Sequence, residues 1–250
     1  MEDFVSAIFF PFDIKYEKVL ISFPFGGLEM RFLFSLLAVL TLSACNFNVT
    51  PQFYFRDVQD VMLDNQPIDI PIFLKIPASD VDSCNSEIGQ VLGILMTHGM
   101  DGTLLSCSTD EDNFFAVANV KFTASVVPSK FSQADNFVGI FALIVEDAGD
   151  GVYYLNLQAN PKLPKAMSDI ENALFFATLD ASQVGFVITL NNDTRRLVEL
   201  NIYDSFVNGI PTDYGSFEIG PRSQLEIRSS DVGANLFFDR GWFGVADLKM

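Results

Sequence analysis

Between Pro67 and Ile76 the chain alternates without a break, with Ile68, Ile70, Ile72, Leu74 and Ile76 on one side and Asp69, Pro71, Phe73 and Lys75 on the other. Successive side chains of a strand point to opposite faces, so this spacing predicts a strand with one face in a core and one in water. Pro71 has no N–H to give to a ladder, which predicts an edge position. Asn113 to Val127 repeats the pattern at greater length. Phe114, Ala116, Ala118, Val120, Phe122, Ala124 and Val126 alternate there with Asn119, Lys121, Thr123 and Ser125. Two strands of this kind bury their apolar faces only against another layer, which commits the chain to a sheet-based core.

The remaining pattern reads as follows. Phe53-Tyr-Phe55 is a short strand leading into Arg56–Val61, to which no element is assigned. From Asn85 to Met96, Ile88, Val91, Leu92 and Leu95 recur at helical spacing, and Gly99 is placed to cap the helix. Phe137 to Val145 is almost wholly apolar, as a central strand is, and it turns through Glu146–Gly151 into a return strand, Val152–Leu157. Pro164 to Thr178 predicts a second helix with Leu163, Met167, Ile170, Leu174 and Ala177 on one side, or a later start from a capping box at Ser168–Glu171. Val184–Leu190 and Arg196–Tyr203, joined by Asn191-Asn-Asp193, predict a second hairpin, and Phe217–Ile219, Leu225–Ile227 and Leu236–Phe238 predict short closing strands. The expected fold class is α+β, a predominantly antiparallel β-sheet with two short amphipathic helices. It occupies residues 52–250 as one domain, or as two similar halves at about 52–160 and 161–250.

Ahead of this body stands Met30-Arg-Phe-Leu-Phe-Ser-Leu-Leu-Ala-Val-Leu-Thr-Leu-Ser-Ala-Cys45: a base, a largely apolar run from Phe32 to Leu42, then small residues and a cysteine. This is the order of a secretory signal peptide, and the run is shorter than the roughly 17 residues that span a bilayer. Leu42-Ser43-Ala44-Cys45 resembles the lipobox of bacterial lipoproteins. The resemblance implies a signal peptide over 30–44, a mature chain beginning at Cys45 with a lipid on its sulfur, and a tether over 45–51. By resemblance to enterobacterial lipoproteins, Asn46 stands where those retained in the inner membrane carry aspartate, which implies the outer membrane in a Gram-negative host. Residues 1–29 are acidic where a signal needs basic residues. Gly26-Gly27-Leu28-Glu29-Met30 is what a ribosome-binding site and start codon would encode, so 1–29 is expected to be an upstream extension that is not translated. The other reading is a genuine extended leader.

Charge excludes one class of partner. Acids number 32 against 15 bases, and residues 1–45 hold five of the acids and three of the bases, leaving 27 acids against 12 bases. A surface this acidic repels phosphate backbones, so no nucleic-acid partner is expected, and membrane attachment falls to the lipid on Cys45. If Cys45 is acylated in an oxidising compartment, Cys84 and Cys107 remain as a disulfide pair, which on the chain-entropy estimate contributes about 3.4 kcal/mol. The alternative is two buried thiols.

From about Phe53 to Leu143 the chain is similar to an uncharacterised family of small lipoproteins of bacteria and their prophages. The features that carry the resemblance are the lipobox, Phe53-Tyr-Phe-Arg-Asp-Val-Gln-Asp-Val61, the strand ending Lys75-Ile-Pro77, Cys84, Cys107, and Phe115–Phe122. It implies an exported, lipid-anchored domain with a disulfide, and no activity.

Chemistry is sparse. His98 is the sole histidine; at a helix end it reads as a capping or surface residue, and no Gly-x-Ser-x-Gly supplies a nucleophile. Cys84 and Cys107 lack the spacing of a zinc site. Asp147 and Asp150 in Asp-Ala-Gly-Asp-Gly read as turn residues before calcium ligands, and Asp110-Glu111-Asp112 as a solvated loop. Phe237, Phe238, Trp242 and Phe243 read as core, or as an apolar contact surface. No catalytic residue, cofactor or metal is expected. The first reading is therefore a membrane-anchored binding or interaction module of the bacterial envelope with an envelope protein as partner. The alternatives are a carrier of a lipid or small apolar ligand and, behind it, a glycan hydrolase using two carboxylates.

Overall fold

The structure is a computed structural model that describes residues 47–109, 116–131, 139–174 and 184–249, except the side chain of Phe47. The signal segment with Cys45, the Asp110–Asp112 loop, the first residues of the strands expected from Asn113 and Phe137, and the end of the helix expected to reach Thr178 lie outside the described residues.

Strands β1 (Phe47–Val49) and β2 (Gln52–Tyr54) lead into helix α1 (Phe55–Asp64), followed by β3 (Ile68–Ala78), helix α2 (Val81–Thr97), β4 (Gly102–Thr109) and β5 (Ala116–Pro128). A short turn of 3₁₀ helix at Ser129–Phe131 precedes β6 (Phe141–Gly149), β7 (Val152–Ala159) and helix α3 (Leu163–Ala173). The chain ends with β8 (Val184–Asn191), β9 (Val198–Val207), β10 (Ile210–Ile219), β11 (Gln224–Ser229), helix α4 (Asp231–Arg240) and β12 (Trp242–Lys249).

Among the described residues twelve strands join one sheet in the order β1-β8-β11-β9-β12-β7-β6-β5-β3, with β10 on β9, β2 on β8 and β4 on β5. The two ends of the path, β1 and β3, come within 8 Å, so the sheet nearly closes on itself. This corrects the expected class. The fold is mostly β, with 53% of the described residues in strands, and its sheet is mixed: β1 and β2 run parallel to β8, and β5 parallel to β6. Among the described residues its helices number four, not two. Period-two spacing reports which face of a strand is buried and carries no information on the strand beside it, so the parallel pairs were invisible.

The alternation itself holds. Ile70, Ile72 and Leu74 are buried and Asp69, Pro71 and Phe73 exposed, and β3 pairs only with β5, leaving Pro71 on an edge strand. β6 is buried on both faces from Phe141 to Val145, between β5 and β7. It returns through Asp150-Gly151, both at positive φ, as a two-residue hairpin turn with primed geometry requires.

Two expectations and one alternative fail locally. β8 and β9 are not a hairpin, because β11 lies between them. β9 pairs along its length with β10 through Asn208-Gly209, both at positive φ, a tight local connection that the longer 192–197 loop cannot match. Leu236–Phe238 lies in α4, not a strand; Ser230 caps the helix by accepting from the Gly233 N–H at 3.1 Å, and Gly241 ends it at φ 82°. The helix expected from Pro164 starts at Leu163, ahead of the proposed box at Ser168.

Helix α2 buries Cys84, Ile88, Leu92 and Leu95. Its end follows the Schellman pattern, with the Gly99 N–H donating to Met96 and the Met100 N–H to Leu95, and Met100 buried beside Leu95. The next strand presses close: a side chain at Gly102 would meet Leu92 and Phe122 at 2.6 Å. Cys84 and Cys107 are joined by a disulfide, tying α2 to β4.

Candidate functional site

The expected chemistry-bearing residues are structural where they are described. The His98 ring Nε2 lies 2.8 Å from Asp169 Oδ2, joining the end of α2 to α3. Asp147 accepts from the Gly149 N–H at 2.8 Å, closing the turn on itself. Phe237 and Phe243 are core residues packed with Phe186, whose ring centroid lies 4.5 Å from that of Phe237; Trp242 is exposed. Among the described residues no three His, Cys, Asp or Glu side chains are grouped to hold a metal, and every buried side-chain nitrogen or oxygen has a partner.

A groove of about 660 Å³ is lined by Arg56, Gln59, Met62, Leu63, Tyr153, Thr194, Arg195 and Arg196. Its floor helix is α1, which the sequence reading left unassigned. Phe55, Val58 and Val61 are buried at helical spacing, and this apolar stripe seats α1 on the sheet near β5 and β6. The neighbouring stripe of Arg56, Gln59, Met62 and Leu63 then faces the groove.

The opposite wall is the loop between β8 and β9, and one residue organises it. Asn192 is 1% exposed. Its Nδ2 donates to the carbonyls of Arg196 and Ile219, both at 2.8 Å, and its Oδ1 accepts from the Thr194 N–H at 3.1 Å and hydroxyl at 2.6 Å. An amide side chain has two donors and an accepting oxygen, and here all are used. The loop backbone is thereby fixed, and Arg195 and Arg196 project from it, exposed.

A clamp joins the two walls across 137 residues of sequence. The Arg56 N–H donates to Asp193 Oδ1 at 3.0 Å, and the Arg56 guanidinium lies 3.8 Å from Asp193 Oδ2. Asp57, next on α1, has its carboxyl held above the usual range, first by partial burial and then by the nearby charges of Asp193 and Asp60. Arg195 and Arg196 differ from Arg56: among the described residues neither has a carboxylate within ion-pair reach.

Sequence reasoning missed Arg56, Asn192, Arg195 and Arg196. One signal was available, because Arg195-Arg196 is the sole adjacent pair of basic residues in a chain carrying 32 acids. Elsewhere, Tyr203 on β9 donates its hydroxyl to Asp247 on β12 at 2.6 Å, which pushes the phenol up to about 12, and its ring lies 5.3 Å from that of Tyr214.

A family model described as a domain of unknown function, DUF7424, matches residues 47–250, from the first residue of β1 through the end of the chain. No curated protein and no solved structure matches.

Proposed function

The chain belongs to the DUF7424 family, and from that premise we propose that it is a binding module of the bacterial envelope, tethered through a lipid on Cys45, and not an enzyme. The observation that carries the reading is the Arg195–Arg196 pair, held on a loop locked by Asn192 and without a carboxylate partner among the described residues of an acidic chain. Guanidinium groups carried on an ordered loop at the rim of an open groove recognise; they do not transfer protons at neutral pH. The one histidine is engaged with Asp169 on another element.

Phe47, two residues after Cys45, pairs with Val184 at the start of β8, and Tyr54 pairs with Asn191 at its end, beside the groove loop. Eight residues of strand separate these ends by about 23 Å, and two residues of chain reach only about 7 Å. A domain hung from Cys45 therefore holds its groove away from the bilayer and open to an envelope partner.

Mass spectrometry of the protein recovered from native membranes tests the tether. The expected species begins at a diacylated Cys45 and contains the Cys84–Cys107 bridge. A chain beginning at Met1 or Met30 with an unmodified Cys45 would overturn it.

A further inference from the structure

We infer that the groove between α1 and the 192–197 loop takes an amphipathic oxyanion from the aqueous phase: a carboxylate, phosphate or sulfonate group borne on a small apolar body. The inference rests on the proposed binding role and adds the chemical class of the ligand.

Charge makes the first half of the argument. With a formal charge of −17, the chain as a whole repels anions, so an anion binds only where local contacts exceed that field. At physiological ionic strength charges more than about 8 Å away are largely screened, and the ligand responds to the groove wall. There Arg56 is engaged by Asp193, whereas Arg195 and Arg196 have no carboxylate partner among the described residues. The planar fork of a guanidinium matches two oxygens of a carboxylate, phosphate or sulfonate. The loop is already ordered by Asn192, so binding an anion does not have to order the backbone that carries the two arginines.

Shape and lining make the second half. A volume of about 660 Å³ lies within the range of roughly 300–1,000 Å³ typical of small-molecule sites. Met62 and Leu63 supply apolar wall, and Leu63 is 81% exposed. Leu197, directly after the arginines, is also exposed. Cationic rim beside apolar wall fits a ligand with both characters better than a bare ion. The separation along β8 between Phe47 and the groove selects the source: the anchoring bilayer lies at the other end, so the oxyanion is a free molecule and not a headgroup of that bilayer.

Fluorescence titration of the full chain with 8-anilinonaphthalene-1-sulfonate, with uncharged 1-anilinonaphthalene as its partner probe, tests the inference. The sulfonate is expected to bind at least about tenfold more tightly than the neutral compound, and Arg195→Ala/Arg196→Ala to lose at least that factor with an unchanged melting temperature, since both side chains are exposed. Arg195→Lys/Arg196→Lys, which keeps the charge and loses the fork, is expected to fall between. Equal affinity for the two probes, or unchanged sulfonate binding in the double alanine variant, would overturn the ligand class. Phosphatidylglycerol vesicles that displace the sulfonate from the parent protein, where phosphatidylcholine vesicles do not, would overturn the aqueous source. An unacylated Cys45 would remove the tether and with it the ground for an aqueous source, and would leave the ligand class standing, so the two failures are separable.

Discussion

The corner between α2 and β4 and the loop between β8 and β9 each fasten a segment to the sheet, the first with a disulfide and the second with one buried amide. The bond between Cys84 and Cys107 spans 23 residues of sequence, and its effect falls mainly on the unfolded chain, whose freedom it restricts. The folded corner is specified without it, because Ile88, Leu92 and Leu95 dock α2 and Met100 closes the helix end. Asn192 works in the opposite sense. Its four hydrogen bonds exist only in the native state, and two of them set the backbone at Thr194 and Arg196. The covalent fastening adds stability to a geometry already chosen, and the hydrogen-bonded one chooses the geometry. Function on this reading depends on the weaker of the two.

Breaking each fastening separately tests that contrast. The larger stability effect belongs to Cys84→Ser/Cys107→Ser. It is expected to cost about 3 kcal/mol and to lower the melting temperature by roughly 6–12 °C, with binding of the anilinonaphthalene sulfonate retained below the transition. Reductant should lower the melting temperature of the parent chain by a similar amount and leave the double-serine variant unmoved. If the variant lost dye affinity as fully as stability, the corner and the groove would be one cooperative unit and the contrast would fail.

Asn192→Ala comes next in stability and reverses the order for binding. It leaves the Ile219 carbonyl without its partner at a buried position, and the Arg196 carbonyl and Thr194 N–H without theirs at half-buried ones, at an expected cost of about 2 kcal/mol. It should also weaken the sulfonate at least about tenfold, because the arginines lose the backbone that holds them. Chemical denaturation followed by dye titration at a temperature where both proteins are folded separates the two effects. Full affinity in a destabilised Asn192→Ala protein would show that the loop holds its arginines in place without the amide.

How much of this was legible follows the same division between local and distant. The inward face of β3 and the docking face of α2 were readable because one buried face imposes its period on consecutive residues. Two helices were readable in principle and missed: Phe55, Val58 and Val61 of α1 recur at helical spacing, and Ser230 and Gly241 bracket α4 with a cap at each end. In α4 the apolar pair Phe237-Phe238 imitated a strand. Sheet order was not readable at all, since nothing in Val184–Asn191 announces that its neighbours are β1, β2 and β11. The groove divides in the same way. Arg195-Arg196 stands out in an acidic sequence, but its placement beside Arg56 is a product of the pairing of β2 with β8.

The smallest effect sharpens the comparison at the clamp itself. Asp57 shares its neighbourhood with Asp193, the residue that grips Arg56, and its carboxyl sits above the usual range because of partial burial and then the charges of Asp193 and Asp60. A carboxyl raised in this way binds its proton more tightly in the folded protein than in the unfolded chain. Its ionised form therefore costs stability at neutral pH, and the cost disappears as the pH falls through the folded value toward the ordinary 3.8. Asp57→Asn should accordingly stabilise the protein at pH 7 by no more than about 0.5 kcal/mol, given partial exposure and screening. The advantage should shrink as the pH falls through the folded value and below 3.8, where the parent side chain gains its proton as well. One force opposes this sign: Asp57 lies in the first turn of α1, where the helix dipole favours a negative charge. Thermal melts of the two proteins at pH 7 and pH 3.5 decide between them. A less stable Asp57→Asn protein at pH 7 would mean that the dipole prevails over burial and the neighbouring acids, and that α1 is held at the groove by its charge as well as by its apolar stripe.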